Sequence, residues 1–357
     1  MARSKTDSRQ SNVELLRILA MLGVVVLHYN SIGGGFKNVP AGGASMWLLY
    51  GLEGLFICAV NLFVLITGFF SCTQTRNRPG KALELLLQVA VFQLLAYGID
   101  LYQGAAFSLR TLVMKLVPNN YFVSLYVAVF LLSPYINLLL EKLSRKGLIR
   151  LLVVCVALFS VFPTVTEAAD ALLREDFPGL SPISLDGSIS GYSVVNFMLM
   201  YLIGASLRLL DIRVKKRWTA PALAAVVLIL TLWGYYDNTT GMARAYCNPL
   251  VIAEAVAVFL LFRELKFHSR LVNVLAPASF TCFLLHSSLL EFFQIPTAVR
   301  QPVLQVLAHV LCTAITIYLV SWPAHMVYGA ITNRPVRVLL KWLRIDREYS
   351  LENQQEE

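Results

Sequence analysis

Two ionisable side chains lie in the first apolar stretch of the chain. Arg17 and His28 are eleven positions apart in the segment Glu14-Leu-Leu-Arg-Ile-Leu-Ala-Met-Leu-Gly-Val-Val-Val-Leu-His28. At 3.6 residues per turn, this spacing returns an α-helix to nearly the same face, roughly 16 Å further along its axis. Ionisable groups in an apolar segment are costly and mark functional sites by default. We therefore predict that both side chains face one groove or pore.

The chemistry open to this pair is proton transfer and anion binding. A histidine side chain suits a general base near neutral pH, and it can also act as a transient nucleophile. His28 is therefore the candidate reacting group, and the alternative is an imidazole that only hydrogen-bonds a neighbouring helix. Arg17 either binds phosphate or amide groups of a substrate or forms a structural ion pair with Glu14 at i, i+3. We take His28 and Arg17 as the catalytic candidates.

Four further residues are candidates for the substrate or cavity. His286 either orients an acceptor or pairs with Glu291. Glu254 lies in an apolar run, where a carboxylate must be protonated, paired or directed into a watery cavity. Asn61 and Tyr126 either line such a cavity or form hydrogen bonds between helices.

The elements that must position these residues are membrane-spanning helices. The 357 residues are 57% hydrophobic and 14% charged, whereas about a quarter of the residues of a soluble domain are charged. Apolar runs of about 17 to 25 residues predict spanning helices, and the last run has room for a tilt or a break at Pro323. We predict an all-α polytopic membrane protein of about ten transmembrane helices, over 13–30, 46–70, 83–101, 121–140, 148–164, 191–210, 219–236, 247–263, 271–290 and 303–331.

Basic residues are distributed unevenly between the predicted loops. If the N-terminus is cytoplasmic, most of the 30 Lys and Arg residues fall in inside segments, among them Arg76, Arg78 and Lys81. This asymmetry predicts an even number of spans, with the N- and C-termini both cytoplasmic. Because the charge is dispersed among short loops, the net charge of +9 does not indicate nucleic-acid binding.

The organisation of the chain is predicted to be simple. We expect one transmembrane domain over residues 1–345 and a polar C-terminal tail over 346–357. The pattern Ser11-x-x-Glu14 is typical of a capping box that begins the first helix. The six cysteines show no CxxC or other metal-ligand spacing, so no metal site is predicted.

Four short motifs occur in order along nearly the whole chain. They are Arg17-x10-His28, Asn61-Leu-Phe-Val-Leu-Ile-Thr67-Gly-Phe-Phe, Tyr121-Phe-x-x-x-Tyr126-x6-Ser-Pro-x-x-Asn137 and Ser279-Phe-Thr-Cys-Phe-Leu-Leu-His286. Together they resemble the acyltransferase-3 family of integral membrane acyltransferases, which O-acylate bacterial surface sugars. The match departs from the family pattern at Thr67, where Ser is usual, and at Phe283, where Tyr is usual. The basic segment Arg76-Asn-Arg78-Pro-Gly-Lys81 also differs in spacing from the Arg-x-x-Arg patch of the family.

The resemblance implies a reaction and its participants. It implies transfer of an acyl group, most simply acetyl, from cytosolic acyl-CoA to a hydroxyl of a cell-surface or lipid-linked polysaccharide. Arg76, Arg78 and Lys81 would then bind the phosphorylated end of acyl-CoA, although their charge alone indicates only a positive-inside anchor. The implied setting is a bacterial cytoplasmic (inner) membrane. The implied partners are the lipid bilayer, the glycan acceptor and glycan-assembly enzymes.

Two other functions compete with acyl transfer. A transporter or permease would use the intramembrane Arg, His and Glu residues as a proton or substrate path. Many transporters show inverted repeats, and we detect none in this sequence. A non-catalytic assembly or flippase partner of a glycan machine is the third hypothesis. Consumption of acyl-CoA that depends on His28 distinguishes the enzyme from both.

Overall fold

The computed structural model describes residues 10–117, 120–173, 193–236 and 241–343, and the predicted tail over 346–357 lies outside them. Within the described ranges the chain is helical, with no β-strand. A π-helical turn, Ala157–Val161, joins α8 to α9. We number the α-helices α1 (Ser11–Asn30), α2 (Gly35–Asn38), α3 (Ala44–Phe56), α4 (Ala59–Ser71), α5 (Pro79–Tyr102), α6 (Leu109–Leu116), α7 (Tyr121–Lys142), α8 (Arg145–Val156), α9 (Phe162–Leu173), α10 (Val194–Leu209), α11 (Lys216–Tyr236), α12 (Pro249–Arg263), α13 (Arg270–Leu275), α14 (Ser279–Leu290), α15 (Ile295–Ala298) and α16 (Val303–Trp342).

The prediction of an all-α polytopic membrane protein is confirmed. Nine helical stretches among the described residues are long and apolar enough to cross a bilayer. The predicted span 191–210 corresponds to α10, which is apolar but has only 16 residues. The predicted span 46–70 contains two helices, because a two-residue turn at Ile57 and Cys58 separates α3 from α4 within one apolar stretch. Which end of the bundle faces the cytoplasm stays a prediction.

The start of α1 is held by tertiary contacts rather than by a capping box. The helix already begins at Ser11, and the preceding Gln10 makes no side-chain cap. The Ser11 hydroxyl donates to Asn273 Oδ1 at 3.0 Å and accepts the backbone N–H of Ser269 at 3.0 Å. The capping-box prediction is therefore wrong, because the hydroxyl that would have capped α1 is bonded to the segment that begins α13.

Of the tilt or break for which the last apolar run has room at Pro323, the structure shows no break. Helix α16 runs without interruption from Val303 to Trp342, through Pro323 and Pro335. A proline removes one backbone hydrogen bond, but packing against neighbouring helices keeps such helices continuous within a membrane. Tyr318 provides one such contact, because its buried hydroxyl donates to Leu275 O at 3.1 Å and lies 2.9 Å from Ser279 Oγ.

Close packing of α4 against α10 forms the densest part of the core. A Cβ added at Gly68 would collide with the carbonyl oxygen of Tyr201, and one added at Gly204 would collide with that of Leu65. Small residues at such crossings allow two backbones to approach closely in a membrane. The two glycines therefore fix how near α4 lies to α10.

Helix α1 is central and runs parallel to α14. It contacts α3, α4, α12, α14 and α16. Its first turn is bonded to α13, which leads directly into α14, and its last turns meet the second half of α14 through His28 and His286. Both helices thus begin at one end of the bundle and finish at the other. This arrangement defines the two ends between which the functional site lies.

Candidate functional site

The centre of the site is a pair of histidines. His28 Nδ1 is hydrogen-bonded to His286 Nε2, although the two residues are 258 positions apart in the sequence. The two rings are within 3° of parallel, with centroids 4.5 Å apart. Because ring nitrogens form hydrogen bonds in the plane of the ring, this geometry is an edge-to-edge contact rather than a face-to-face stack. A proton can move along such a line of nitrogens.

The hydrogen bonds of His286 assign the tautomer of both rings. Its Nδ1 lies 2.7 Å from the carbonyl oxygen of Phe283, and a carbonyl can only accept, so Nδ1 carries the proton. In the neutral ring Nε2 is then an acceptor, and His28 Nδ1 must donate to it. The proton of neutral His28 is therefore on Nδ1, and its Nε2 keeps a free lone pair. Within the described part of the chain no hydrogen bond to His28 Nε2 is found.

Sequence reasoning singled out both histidines but did not pair them. It allowed His286 to pair with Glu291, and that alternative is wrong, because the described contacts of His286 are His28, Phe283 O and Ser287. The sequence did contain one signal for the pair. Each histidine is the last residue of a motif that resembles the family pattern, and the two motifs lie on apolar helices that are predicted to run in the same direction. The structure adds that the two helices touch at those residues.

An apolar cavity of about 380 Å³ lies one helical turn before His28. Arg17, Met21 and Val24 line it from one face of α1, as the helical period requires. Phe283 closes the same cavity from α14, and its ring centroid lies 5.7 Å from that of His286. His28 lies further along the same helix, one turn beyond Val24, and is not among the residues that line this cavity, so the shared groove for Arg17 and His28 stays a prediction.

Arg17 forms the ion pair that was considered for it and also lines the apolar cavity, and its role in binding a substrate stays a prediction. Its Nη1 donates to Glu14 Oε1 at 3.0 Å, which is the expected i, i+3 ion pair. The same side chain lines the apolar cavity at the end away from the histidines. Eleven residues of helix separate Arg17 from His28, so Arg17 is too far away to contact atoms that react there. It is positioned to bind a ligand in the cavity.

A larger, polar cavity of about 850 Å³ adjoins the apolar one. The two cavities share Thr67, Lys81, Leu85 and Tyr126, so they adjoin each other. Thr67 Oγ1 and Tyr126 Oη lie 3.2 Å apart on the shared wall. The apolar cavity lies beside α1, and the polar chamber lies at the start of α5.

The polar chamber is cationic. Its lining includes Arg76, Arg78 and Lys81 and no carboxylate among the described residues. The backbone that carries these cations is tied down by Asn137, whose Nδ2 donates to Ser71 O and Gln74 O, each at 2.7 Å. Charged hydrogen bonds to guanidinium and ammonium groups are the usual means of binding phosphate. The chamber can therefore hold a polyanion.

Comparison with known protein families identifies the fold that carries this arrangement. The model of a family described as an acyltransferase domain matches residues 10–326, which is most of the chain. The chain belongs to the acyltransferase-3 family. It is therefore a multi-pass membrane acyltransferase, and the match does not favour the transporter alternative. No curated protein and no solved structure matches the chain.

Two of the predicted site residues of this acyltransferase lie apart from the cavities described above. Asn61 is buried, donates to Tyr246 O at 2.8 Å and accepts from Asn196 at 3.2 Å, so it joins three segments in the core. Glu254 is fully buried in α12, and neither of its carboxyl oxygens has a hydrogen-bond partner that meets normal geometry among the described residues. Tyr126, in contrast, lines both cavities. A functional role for Asn61 and Glu254 stays a prediction.

Proposed function

We propose that this membrane acyltransferase is an O-acetyltransferase of the bacterial cytoplasmic membrane. It takes an acetyl group from cytosolic acetyl-CoA and transfers it to a hydroxyl of a surface or lipid-linked polysaccharide. One observation carries the proposal: the cationic chamber adjoins the apolar cavity, and the apolar cavity reaches to within one helical turn of His28. Both termini and the chamber then face the cytoplasm, where acyl-CoA is found.

The two cavities suit the two parts of acyl-CoA. Its nucleotide end carries phosphates, which match Arg76, Arg78 and Lys81 in the polar chamber. Its long, narrow arm matches the apolar cavity, and Arg17 can donate hydrogen bonds to amide oxygens of that arm at the point where the cavity opens. The thioester at the tip of the arm is then directed towards the histidine pair.

The chemical step needs a base and an acid, and one imidazole supplies both. His28 Nε2 takes the proton of the acceptor hydroxyl as its oxygen attacks the thioester carbonyl. The C–S bond breaks, a C–O bond forms, and the same proton passes to the CoA sulfur, so that the products are an ester and a free thiol. His286 stabilises His28 in the tautomer that this step requires. Transient attack by Nε2 itself, followed by transfer to the hydroxyl, uses the same lone pair.

The test is thioester consumption by the purified protein in liposomes. Acetyl-CoA labelled in the acetyl group should be consumed by the wild-type protein and consumed at least about a hundredfold more slowly by His28→Ala, because the base is lost. His268→Ala is the matched control, since His268 is exposed in the loop after α12, and it should behave as wild type. Solute uptake without thioester consumption would overturn the proposal in favour of a transporter.

A further inference from the structure

A separate cavity of about 340 Å³ lies at the opposite end of the α1–α14 pair from the cationic chamber. Its walls come from Ile32 and Gly33, just after α1, and from Ser287, Leu290 and Glu291 at the end of α14. Its volume is within the usual range of small-molecule sites. None of its lining residues is shared with the two donor-side cavities.

This cavity adjoins the histidine pair from the far side. Ser287 Oγ lies 3.4 Å from His286 Nε2, the same nitrogen that accepts the hydrogen bond from His28. Along α14 the order is therefore Ser279 and Phe283 at the apolar cavity, His286 at the pair, and Ser287 and Leu290 at this cavity. Along α14 the pair therefore lies between the apolar cavity and this one.

The shape of the cavity depends on a glycine. A Cβ added at Gly33 would lie 2.6 Å from Ile295 Cδ1 and 2.8 Å from Tyr29 O. Only glycine lets the chain after α1 pass this close to α15, so the wall formed by Ile32 and Gly33 is built by tertiary packing.

The polar groups of the cavity indicate the ligand. Glu291 is exposed on its wall, and no hydrogen bond or ion pair to Glu291 is found among the described residues. A carboxylate accepts hydrogen bonds from hydroxyl or ammonium groups and repels other anions. The Ser287 hydroxyl adds a second polar contact next to His286. Together they fit a ligand that offers hydroxyl or ammonium donors and carries no negative charge.

We propose that Glu291 selects the acyl acceptor by charge, so that this cavity admits neutral or amino-bearing acceptors and disfavours acidic ones. The proposal rests on the proposed function, because it needs a hydroxyl that receives the acyl group at His28. It adds a charge preference for the acceptor, with Glu291 as the residue that determines this specificity.

The experiment uses three methyl glycosides of nearly equal shape and different charge. Methyl glucoside is neutral, methyl glucosaminide carries an ammonium group, and methyl glucuronide carries a carboxylate. Labelled acetyl-CoA is supplied on one side of sealed proteoliposomes, and each glycoside is supplied in turn on the same or the opposite side. Wild-type protein should acetylate the neutral and amino glycosides from the opposite side and the glucuronide at least about fivefold less efficiently, as one exposed charge contact allows.

Variants at Glu291 separate a specificity site from a merely structural position. Glu291→Gln should remove the difference between the glycosides, and Glu291→Lys should invert it in favour of the glucuronide. Glu141→Lys is the control for an added surface charge, because Glu141 is exposed near the end of α7. It should keep the wild-type order of acceptors.

The outcomes distinguish this proposal from the proposed function. If thioester consumption does not depend on His28, the proposed function fails. If consumption depends on His28 but the Glu291 variants keep the wild-type acceptor order, the acceptor binds elsewhere and the present proposal fails. Transfer only to glycosides on the acyl-CoA side, or to none of the three, overturns it in the same way.

Discussion

The two ends of the α1–α14 pair differ in size and in charge. At one end, adjoining cavities of about 850 and 380 Å³ have Arg17, Arg76, Arg78 and Lys81 among their lining residues. At the other end, a cavity of about 340 Å³ carries the single carboxylate of Glu291. The larger end suits a long polyanion, and the smaller end suits a compact neutral or cationic group. The histidine pair is the point where the two meet.

On the proposed function, this difference would let one site handle two unlike substrates. Glu291 would disfavour a donor with several phosphates, and the cationic chamber would disfavour an acceptor with an amino group. Charge would then separate a phosphorylated donor from an amino-bearing acceptor, whereas a neutral acceptor would not be sorted by charge. If variants at one end change the kinetics of both substrates equally, the two ends do not act separately.

The largest expected effect is at the junction of the two ends. His286→Leu removes the acceptor that holds His28 in its reactive tautomer, and we expect kcat to fall about a hundredfold or more with little change in KM for either substrate. His286→Gln keeps an acceptor oxygen and should recover part of that loss. Steady-state kinetics on both variants measure the split between kcat and KM. Equal loss in Leu and Gln would argue for a structural role only.

The next effect belongs to the donor end alone. Replacing Arg76, Arg78 or Lys81 with Ala should raise KM for acyl-CoA about tenfold per residue, because each loses a charged phosphate contact, while KM for the acceptor stays the same. Raising the salt concentration should weaken acyl-CoA binding in the wild-type protein and less so in the variants. Arg150→Ala is the control for loss of a basic residue, because Arg150 is exposed on α8 and lines neither donor-side cavity. A tenfold change in that control would contradict the assignment.

A matched pair of variants tests whether the ends are independent. Asn137→Ala frees the carbonyls of Ser71 and Gln74 and should raise only KM for acyl-CoA, by up to about tenfold as the cationic loop shifts. Gly33→Ala collides with Ile295 and should raise only KM for the acceptor, by a similar factor.

The control for the glycine is Gly98→Ala, where an added Cβ has open space. It should leave both KM values unchanged. Kinetics with each substrate varied separately provide the measurement for the whole set. If either Asn137→Ala or Gly33→Ala changes both KM values by the same factor, the two ends are not independent.

The smallest effect is expected at the surface. Asp211 is exposed in the turn after α10, and hydrogen bonds from Arg213 and then Arg263 hold the pKa of its carboxyl below the usual value. A carboxyl whose pKa is lowered in the folded state stabilises the protein at pH values above its usual pKa. This stabilisation is lost as the pH falls through the lowered pKa.

Asp211→Asn should therefore reduce the melting temperature slightly near neutral pH, and the difference should disappear in acid. Thermal unfolding of both proteins across pH 3 to 7 checks this. Because both partners of the ion pair with Arg213 are exposed, the effect is small, and neither KM should change. A difference that grows towards low pH would contradict the assignment.

Local pattern was enough to predict the elements and one face of the site. Apolar run lengths predicted the spanning helices, including α7 over nearly its exact range. The eleven-residue spacing put Arg17 and His28 on one face, and Arg17, Met21 and Val24 do line one cavity. These features depend only on the helical period and on hydrophobicity, and both properties are determined by the residues of a single segment.

Contacts between segments could not be predicted in this way. Whether Ser11 caps its own helix or bonds Asn273 depends on where α13 lies, and whether α16 breaks at Pro323 depends on what packs around it. The cationic loop was visible as charge, but its role as a chamber wall depends on Asn137 holding Ser71 and Gln74.

The sequence by itself therefore determined the membrane helices, the distribution of charge and the shared face of Arg17 and His28. Only the tertiary structure decided that His286 meets His28, which tautomer results, and that a carboxylate-bearing cavity lies beyond the pair. The physical reason is that a helical period acts within one segment. Partners that are 258 residues apart are instead chosen by how the whole bundle packs, through close contacts such as those at Gly68 and Gly204.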